Sequence, residues 1–494
     1  MTYRLGVFSD VGLDEAYLKL ILDEHSTARR PRLERYWTYY RNPLRPVGHG
    51  IGGEVDRPGR WYRQAQEIGL PGRIIGRSGK TGEQVQGGRR EVVIENDIAW
   101  RIQSMVDFMF SKPVAIHSGA GDRDLAGRIE RALDRVWENS GGIALFQDMA
   151  LLGHVYGHVD LVVRMDPEAS GVESVRVEVV EPTRGIPVLD PADYRSLAAY
   201  VIHFEREEIA AESPGWLGAM AMPTRRRGGT DRSIGVRRKR TTVTEVMSSR
   251  ARQVYLDERL VSQESFEWTG GRIPVCHIQN ISEPFRYEGF GEVEAMIAMQ
   301  DELNTRLSDR ASRVTLQSFK MYLARGIEGF EKSPVGPGVM WSTDNPHASI
   351  HEFGGDGESP SELAHVQEVR EALDKISCVP PLASGVVRAR IGNLSSANAL
   401  RITLMGLLSK TARKRVTYGQ GITRACGLIL AGLDHAGVLR TRPEDRAVSL
   451  RWPDPLPTDD REAAHSARAK FDLGVPRDRV LEELGYAPGD TGVT

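Results

Sequence analysis

The spacing of apolar residues predicts a long amphipathic helix from about residue 290 to residue 319. Apolar side chains recur there every three or four residues, so they share one face of a helix. These positions are Phe290, Val293, Met296, Met299, Leu303, Leu307, Ala311 and Val314. The helical period then disappears over residues 320–357, where glycines and prolines separate two strand-like stretches. This segment is predicted to be a small β-structured excursion.

Two further helices are predicted after the excursion. The first begins at a capping box formed by Ser359 and Glu362 and ends at the pair of prolines that follows it. The other begins at Ser395 or Ser396, either of which can cap a helix, and is basic near its middle. Between them, residues 383–394 contain two glycines, two arginines and an asparagine. This composition predicts a flexible basic loop.

The flanking regions mix the two types of secondary structure. Helical spacing is found at residues 12–41, 96–110, 125–139 and 143–152, and alternating or β-rich patterns at residues 158–164, 175–179, 198–206, 241–247, 252–256 and 272–279. Residues 43–90 are rich in glycine, proline and arginine and are predicted to be loops. A strand at residues 448–452 and two small helices are predicted in the tail. The predicted fold class is therefore α+β.

Composition and charge narrow the possible functions. The chain has 494 residues, enough for about three domains. Its net charge is -2, whereas a tight nucleic-acid binder needs a basic footprint, so any contact with DNA is expected to be local and weak. The sequence contains no run of about 18 apolar residues, so no membrane span is predicted. The cysteines, Cys276, Cys378 and Cys426, are too few and too far apart for a disulfide framework or a zinc cluster.

Three near-matches to known motifs fail on spacing or composition. Residues 76–81 resemble the end of a phosphate-binding loop, but Ile74 stands where that loop needs glycine. His154 and His158 have the spacing of a helical zinc site without its glutamate, which favours two packed or solvated histidines. The Gly-Phe-Gly at residues 289–291 lacks the third glycine of a dinucleotide fingerprint. Neither an enzyme nor a cofactor or metal site is predicted.

A strongly basic segment has two possible interpretations. Arginines fill residues 225–227, and three arginines and a lysine fill residues 237–240. Such a cluster can form a nucleic-acid patch, or it can be a solvated loop tip between two strands, and the second interpretation is favoured.

The order of these segments resembles the portal proteins of tailed double-stranded DNA bacteriophages, most closely the siphophage-type family. The matching segments are residues 36–43, 96–116, 153–163, 284–291 with 301–304, and 392–401. In the first of them Asn42 stands where the family has glycine. Each motif is weak alone, and their order and spacing over nearly the whole chain carry the resemblance. Residues 225–240 have no counterpart and resemble an insertion.

The resemblance implies an α+β portal fold with wing, stem, clip and crown that assembles as a ring. The implied divisions are an N-terminal arm and outer wing (1–95), an α+β wing (96–288), a first stem helix (289–319), a clip (320–357), a second stem helix (358–379), a tunnel loop (380–394), an inner wing helix (395–447) and a crown or C-terminal region (448–494). The tunnel-loop residues expected to meet DNA are Val386, Val387, Arg388, Arg390 and Asn393.

The implied function is structural. The ring, expected to have twelve subunits, forms a channel at one capsid vertex through which the terminase packages double-stranded DNA that is later ejected. Expected partners are other copies of the chain, the terminase large subunit, the major capsid and scaffold proteins, a head-completion or adaptor protein and the DNA, with no membrane. The expected location is the virion, after assembly in the host cytoplasm. Alternatives are another head–tail connector or minor capsid protein, and an enzyme with an unfamiliar site.

Overall fold

The chain folds into two compact units, each assembled from segments that are far apart in the sequence. The computed structural model describes residues 3–46, 62–75, 91–211, 236–317, 321–326, 344–353, 360–384, 397–456 and 460–483. The first unit draws on residues 1–36, 102–292 and 382–494. The second draws on residues 37–101 and 293–381.

Helices occur in both units. In chain order they are α1 Glu15–Glu24, α2 Arg30–Arg41, α3 Gly72–Ile75, α4 Asp97–Phe110, α5 Arg123–Asn139, α6 Gly142–Tyr156, α7 Glu292–Gln317, α8 Pro360–Ser377, α9 Ala397–Thr403, α10 Met405–His435, α11 Asp460–Asp472 and α12 Arg477–Glu483. Of the described helices, none is long and apolar enough to cross a membrane.

The strands form small antiparallel sheets. They are β1 Leu44–Pro46, β2 Tyr62–Gln64, β3 Ala115–Ser118, β4 His158–Met165, β5 Val175–Val180, β6 Gly185–Asp190, β7 Asp193–Ala211, β8 Val236–Met247, β9 Ala251–Leu256, β10 Arg259–Ser265, β11 Val275–Gln279, β12 Met321–Arg325, β13 Ser349–Phe353 and β14 Val448–Arg451. The two larger sheets have the strand orders β10-β9-β8-β7-β6 and β11-β4-β5, and the remaining strands pair as β1-β2, β12-β13 and β14-β3.

The core of the first unit lies around its two larger sheets. The N-terminal segment contributes Phe8 and Leu18 to a buried cluster with Tyr255 of β9. A second cluster joins the sheets through Val162 and Tyr200. Helix α10 packs against β11, β4 and β5 and buries most of its C-terminal half. The described parts of this unit therefore combine helices and sheets, as an α+β fold requires.

The long predicted helices are present, with shifted ends. Helix α7 begins at Glu292, so Phe290 precedes it and is 53% exposed. The third predicted helix is divided into α9 and α10, because Leu404 leaves helical geometry at φ -95° and ψ 7°. Its predicted caps, Ser395 and Ser396, lie outside the described residues, as does Ser359 before α8.

Of the predictions for the N-terminal part, the helix over residues 12–41 is confirmed from Glu15 onward, with a π-helical stretch at His25–Arg29 between α1 and α2, and one other was wrong. In the described part of residues 43–90, predicted to be loops, β1 pairs with β2 and a capped 3-10 turn follows at Ala65–Gly69. Pairing with a strand about 20 residues away stabilises β1, and the composition of a short window does not report such pairing. The phosphate-loop-like residues 76–81 lie outside the described residues.

The basic segment lies partly in a strand. Strand β6 pairs with β7 only as far as Ile202, and β9 pairs with β8 only from Val243. The β7–β8 ladder continues beyond both points until Ala211 faces Val236. Residues 237–240 therefore belong to β8, contrary to the prediction of a loop tip, whereas residues 225–227 lie outside the described residues.

Candidate functional site

The residues predicted to line a channel lie in a part of the chain that the structure does not describe. Val386, Val387, Arg388, Arg390 and Asn393 all fall within residues 385–396. The described chain stops at the 3-10 turn Pro381–Ser384 and resumes with α9. The described geometry nearest to these residues is that of the helices and contacts on either side of residues 385–396.

A buried arginine in the second unit holds the end of α8. Arg101 is 2% exposed, and its guanidinium pairs with Asp97 at 2.9 Å and with Asp374 at 2.8 Å. It also donates to the Ser377 hydroxyl at 3.0 Å and to the Val379 carbonyl at 2.7 Å. A charge this deeply buried needs such partners. They fix the segment where α8 ends and the chain turns toward the loop.

Polar side chains on α7 bind residues 91–97, which lead into α4 and include its first residue, and which we call the strap. The backbone N–H groups of alternate strap residues donate to the oxygens of successive side chains spaced four residues apart on α7. The pairs are Glu91 with Ser312 at 2.9 Å, Val93 with Ser308 at 3.0 Å, Glu95 with Asn304 at 3.0 Å and Asp97 with Gln300 at 3.1 Å. Gln300 also donates to the Glu95 carbonyl at 2.5 Å.

The spacing of this side-chain ladder follows from simple geometry. Four residues of an α-helix rise about 6 Å, and two residues of an extended strand rise about 6.6 Å. Side chains at every fourth helix position can therefore match every second residue of a strap that runs in the opposite direction. The ladder satisfies backbone groups that a neighbouring strand would satisfy in a sheet.

A cluster of amides continues the ladder into the N-terminal part of the second unit. Asn304 donates to the Gln66 side chain at 3.0 Å, and Gln66 donates to Asn96 at 2.8 Å and to the Tyr39 carbonyl at 2.7 Å. Asn42, which accepts from the Gln66 backbone at 2.9 Å, has a φ of 46°. Asparagine tolerates this left-handed conformation better than most residues, so it can stand where the resembled family has glycine.

The basic start of α10 is largely occupied by contacts within the first unit. Lys410 and Lys414 each pair with the Glu292 carboxylate at 2.7 Å. Burial alone would raise the pKa of Glu292, but the two lysines lower it to about 2. Arg415 donates to the Pro453 carbonyl at 2.9 Å. Arg413, by contrast, is exposed.

The segment that leads into α7 is fixed by a buried carboxylate. Asp160 of β4 accepts from Tyr200 at 2.7 Å and from Tyr287 at 2.8 Å. It also pairs with the His277 ring at 2.7 Å. Burial raises the pKa of Asp160, but the His277 ring and these hydrogen bonds outweigh that effect and hold the pKa well below its ordinary value.

Two segments that carry the family resemblance lie against each other at this point. Gly157 has a φ of 90°, and a Cβ atom there would lie 2.3 Å from the Gly289 carbonyl oxygen. The Asn280 N–H donates to the Gly157 carbonyl at 2.8 Å. Only glycine allows such a backbone-to-backbone approach. Residues 153–163 and 284–291 therefore meet, a contact that sequence spacing alone did not predict.

The histidines with zinc-site spacing are packed side chains, as predicted. His154 donates from Nδ1 to the Ala150 carbonyl at 2.5 Å, and His158 accepts from Arg29 at 2.9 Å. Burial lowers the pKa of each to about 3, so both are neutral at physiological pH. The described residues contain no group of three or more side chains placed to hold a metal ion.

Three apolar side chains of α9 and α10 are largely exposed. They are Ile402 of α9, which is 72% exposed, and Met405 and Val416 of α10, which are 65% and 59% exposed. Arg401, also in α9, pairs with Asp454 at 2.6 Å.

The chain is similar to known proteins both in sequence family and in solved structure. The sequence model of the family described as "Phage portal protein, SPP1 Gp6-like" matches residues 20–484. No curated protein matches the chain.

Among solved structures, the chain is similar to one in the neck of an empty gene transfer agent particle, with 15% identity, a TM-score of 0.43, and coverage of 79% of this chain and 90% of that one. It is similar at 15% identity to a chain in the virion of a native gene transfer agent particle, with a TM-score of 0.41 and coverage of 79% and 89%.

Proposed function

Because the chain belongs to the SPP1 Gp6-like family of phage portal proteins, we propose that it forms a ring-shaped channel through which double-stranded DNA enters and leaves a capsid. The family match over residues 20–484 carries this conclusion and confirms the resemblance and the α+β portal fold. The protein is thus a structural component of a virion, at the portal vertex of its capsid. The family is structural rather than enzymatic, and we infer that this chain catalyses no reaction.

The stem is proposed to consist of α7 and α8, and the clip to contain the β12–β13 hairpin between them. The tunnel loop then spans residues 380–394 and the inner wing helix residues 395–447. The contacts of Arg101 and the side-chain ladder support this division, because they hold each proposed stem helix by directional hydrogen bonds. Stem helices fixed in this way suit the wall of a channel that must keep its width.

The tunnel loop is proposed to meet DNA through Arg388 and Arg390, with Val386, Val387 and Asn393 beside them. The neutralised basic start of α10 supports this assignment. Lys410 and Lys414 are bound to Glu292, so they are not available to phosphates. A ring repeats each loop arginine once per subunit around the axis. Many weak phosphate contacts guide DNA without holding it.

Replacing both loop arginines tests this assignment. In the Arg388→Ala/Arg390→Ala variant, rings should assemble normally, whereas the amount of DNA packaged or retained per particle should fall several-fold. The matched control is Arg442→Ala, which removes an arginine that is 80% exposed in the first unit. Normal packaging by the double variant, or its failure to form rings, would contradict the proposed role.

The same proposal includes specific partner proteins. The clip is proposed to meet the terminase large subunit during packaging and a head-completion or adaptor protein afterwards. The wing is proposed to meet the major capsid and scaffold proteins, with assembly of twelve subunits in the host cytoplasm. Native mass spectrometry and negative-stain imaging of the purified protein test the ring directly. A subunit that stays monomeric at every concentration would overturn the proposal and favour a different connector or minor capsid role.

A further inference from the structure

The ring of His277 in β11 faces a hydrogen-bond acceptor at each of its two nitrogens. Nδ1 lies 2.7 Å from the Asp160 carboxylate, and Nε2 lies 2.7 Å from the Tyr287 carbonyl oxygen. A neutral imidazole can donate from only one nitrogen, because the other then holds a lone pair. A carboxylate and a carbonyl oxygen can only accept. Both contacts are therefore hydrogen bonds only if His277 carries two ring protons and a positive charge.

The carboxylate beside His277 needs this charge. Asp160 is 1% exposed and accepts hydrogen bonds from Tyr200 at 2.7 Å and from Tyr287 at 2.8 Å. Burial raises the pKa of both tyrosines well above its ordinary value, so each keeps the proton that it donates. Asp160 is thus held as a carboxylate, and a buried carboxylate needs a positive partner. Among the two tyrosines and His277, only the His277 ring can supply one.

The ring of Tyr287 favours the same protonation state. It stacks on the His277 ring, with 3.7 Å between the ring centroids and an angle of 23° between the planes. The face of an aromatic ring attracts a cation, so this arrangement favours imidazolium over neutral imidazole. The ring centroid of His158 lies 5.8 Å from that of His277. His158 does not oppose the charge, because burial lowers its pKa to about 3 and leaves it neutral.

Charged groups of both signs lie around His277. Next to β4, Arg29 donates to His158 at 2.9 Å and pairs with Glu288 at 2.6 Å, so a carboxylate offsets its charge. On another side, His277 lines a cavity of about 750 Å³. Other titratable residues that line this cavity are Asp10, Asp190, Arg272, Cys276 and Arg424. Burial raises the pKa of the Cys276 thiol to about 12, so it is uncharged. Because the others carry both signs, the direct contacts of the ring decide its charge.

The Tyr287 carbonyl belongs to a strained part of the chain, residues 280–291, which joins β11 to α7. Phe285 in this segment has a φ of 64° and is 82% exposed. A bulky residue keeps such a left-handed conformation only where surrounding contacts hold it there. Two of these contacts come from β11. Gln279 donates to the Tyr287 carbonyl at 3.0 Å, and His277 donates to the same oxygen.

We propose that the second proton of the His277 ring acts as a pH-sensitive switch, which holds residues 280–291 at low pH and releases them at high pH. A neutral ring keeps its remaining proton on Nδ1, because Asp160 is charged. Nε2 then presents a lone pair to the Tyr287 carbonyl, and two acceptors 2.7 Å apart repel each other. Phe285 can then leave its left-handed conformation. The switch goes beyond the proposed channel and does not depend on it, since its parts lie within one subunit.

Nitrogen NMR spectra of the full chain with isotopically labelled histidine test the charge of His277 directly. At about pH 6, both of its ring nitrogens should carry a proton and give similar shifts, and at about pH 9 one should be bare. Buried His154 and His158 are the controls and should show one bare nitrogen throughout this range. Loss of a pair of signals in His277→Gln identifies the ring. A bare nitrogen on His277 at about pH 6 would overturn the proposal.

Amide hydrogen exchange of residues 280–291 tests the release of the segment. Rates are first corrected for the intrinsic effect of pH on exchange. Between about pH 6 and about pH 9, the protection of these amides should fall by about tenfold or more, because a hydrogen bond to a charged group is lost. The amides of α5, in the same unit, should keep their protection. Protection of residues 280–291 that does not change with pH would refute the switch and leave the proposed channel untouched.

Two substitutions separate the charge of the ring from its packing. His277→Gln keeps a side-chain donor without the charge, so protection of residues 280–291 should be low at about pH 6 and independent of pH. Tyr287→Phe keeps the aromatic ring and the carbonyl and removes only the hydroxyl bound to Asp160, so the pH dependence should persist. A pH dependence that survives in His277→Gln would assign the effect to another group and overturn the proposal. The measurements on the unmodified chain decide the question even if neither variant folds.

Discussion

Buried charged residues hold the long helices at individual positions near their ends. Glu292 neutralises two lysines of α10 at the first turn of α7, and Arg101 binds both carboxylates and backbone at the end of α8. Such groups stabilise a fold only while every partner is present, because the loss of one partner leaves an uncompensated charge in a dry interior. These positions should therefore tolerate substitution poorly.

Glu292→Gln is expected to lower the free energy of unfolding by about 3 kcal/mol. The substitution preserves shape but leaves Lys414, which is 1% exposed, without a carboxylate. Denaturant unfolding of the isolated subunit measures the change. Glu294→Gln, at an exposed position of the same helix, is the control and should change stability by no more than about 0.5 kcal/mol. Similar stabilities for the two variants would show that the buried pair contributes little.

The same carboxylate predicts a dependence of stability on pH. Its pKa is about 2 in the folded chain and ordinarily 4.5. The unfolded chain therefore binds more protons between these values, so the stabilising contribution is present above pH 4.5 and disappears as the pH falls toward 2. Unfolding curves across this range should show a smaller loss of stability in Glu292→Gln than in the unmodified chain. An identical acid sensitivity would contradict the assignment.

At the scale of secondary-structure elements, the spacing of polar residues along α7, rather than that of its apolar residues, determines how the helix is held. The apolar face was predicted from its period, and Val293, Met296 and Leu303 are buried as expected. Gln300, Asn304 and Ser308 are buried as well, and sequence analysis assigned them no role. Their spacing of four residues was visible in the sequence. Its meaning depends on the strap, which lies about 200 residues earlier in the chain.

Ser308→Ala should destabilise the second unit by about 1–2 kcal/mol, because the Val93 N–H then loses its acceptor. Thermal or denaturant unfolding measures the effect, and faster exchange of the Val93 amide should accompany it. Thr315→Ala, which removes a hydroxyl from an exposed position of α7, serves as the comparison. A Val93 amide that remains equally protected in Ser308→Ala would show that the ladder is not what holds the strap.

The other elements could be predicted where the pattern that forms them lies within a short stretch of sequence. Helices α4 and α5 and strands β4 and β5 are of this kind, because the spacing of their own apolar residues indicates them. Other features depend on residues that are far apart in the sequence, so a short stretch of sequence does not predict them. These are the contact of Gly157 with Gly289 and the extension of β8 through residues 237–240. The proposed channel residues, among them Arg388 and Arg390, rest on the family resemblance, since a basic composition has no period of its own.

At the scale of the whole molecule, the near-neutral charge suits a channel that DNA passes through better than a protein that binds DNA tightly. A ring carries the net charge of -2 once per subunit, and the basic residues near the start of α10 are mostly paired. Long-range attraction for DNA is correspondingly small. Affinity alone therefore contributes little to the entry of DNA into such a ring.

Purified rings should therefore bind free double-stranded DNA weakly, with a Kd no tighter than about 10⁻⁶ M at physiological salt. A gel-shift titration at several salt concentrations measures this affinity. Binding in the nanomolar range would indicate a basic surface that the described residues do not show, and would contradict a channel that lets DNA slide.

The segments of the two units alternate along the sequence, and this has a consequence for folding while the chain is being synthesised. The strap leaves the ribosome about 200 residues before the α7 side chains that bind it. At 5–20 residues per second, that delay lasts roughly 10–40 s. During this time the strap lacks the α7 side chains that will bind its N–H groups, and these groups are open to nascent chains on the same message. Slow translation between residues 97 and 300 should therefore favour aggregation, and a chaperone that shields this segment would act before any ring exists.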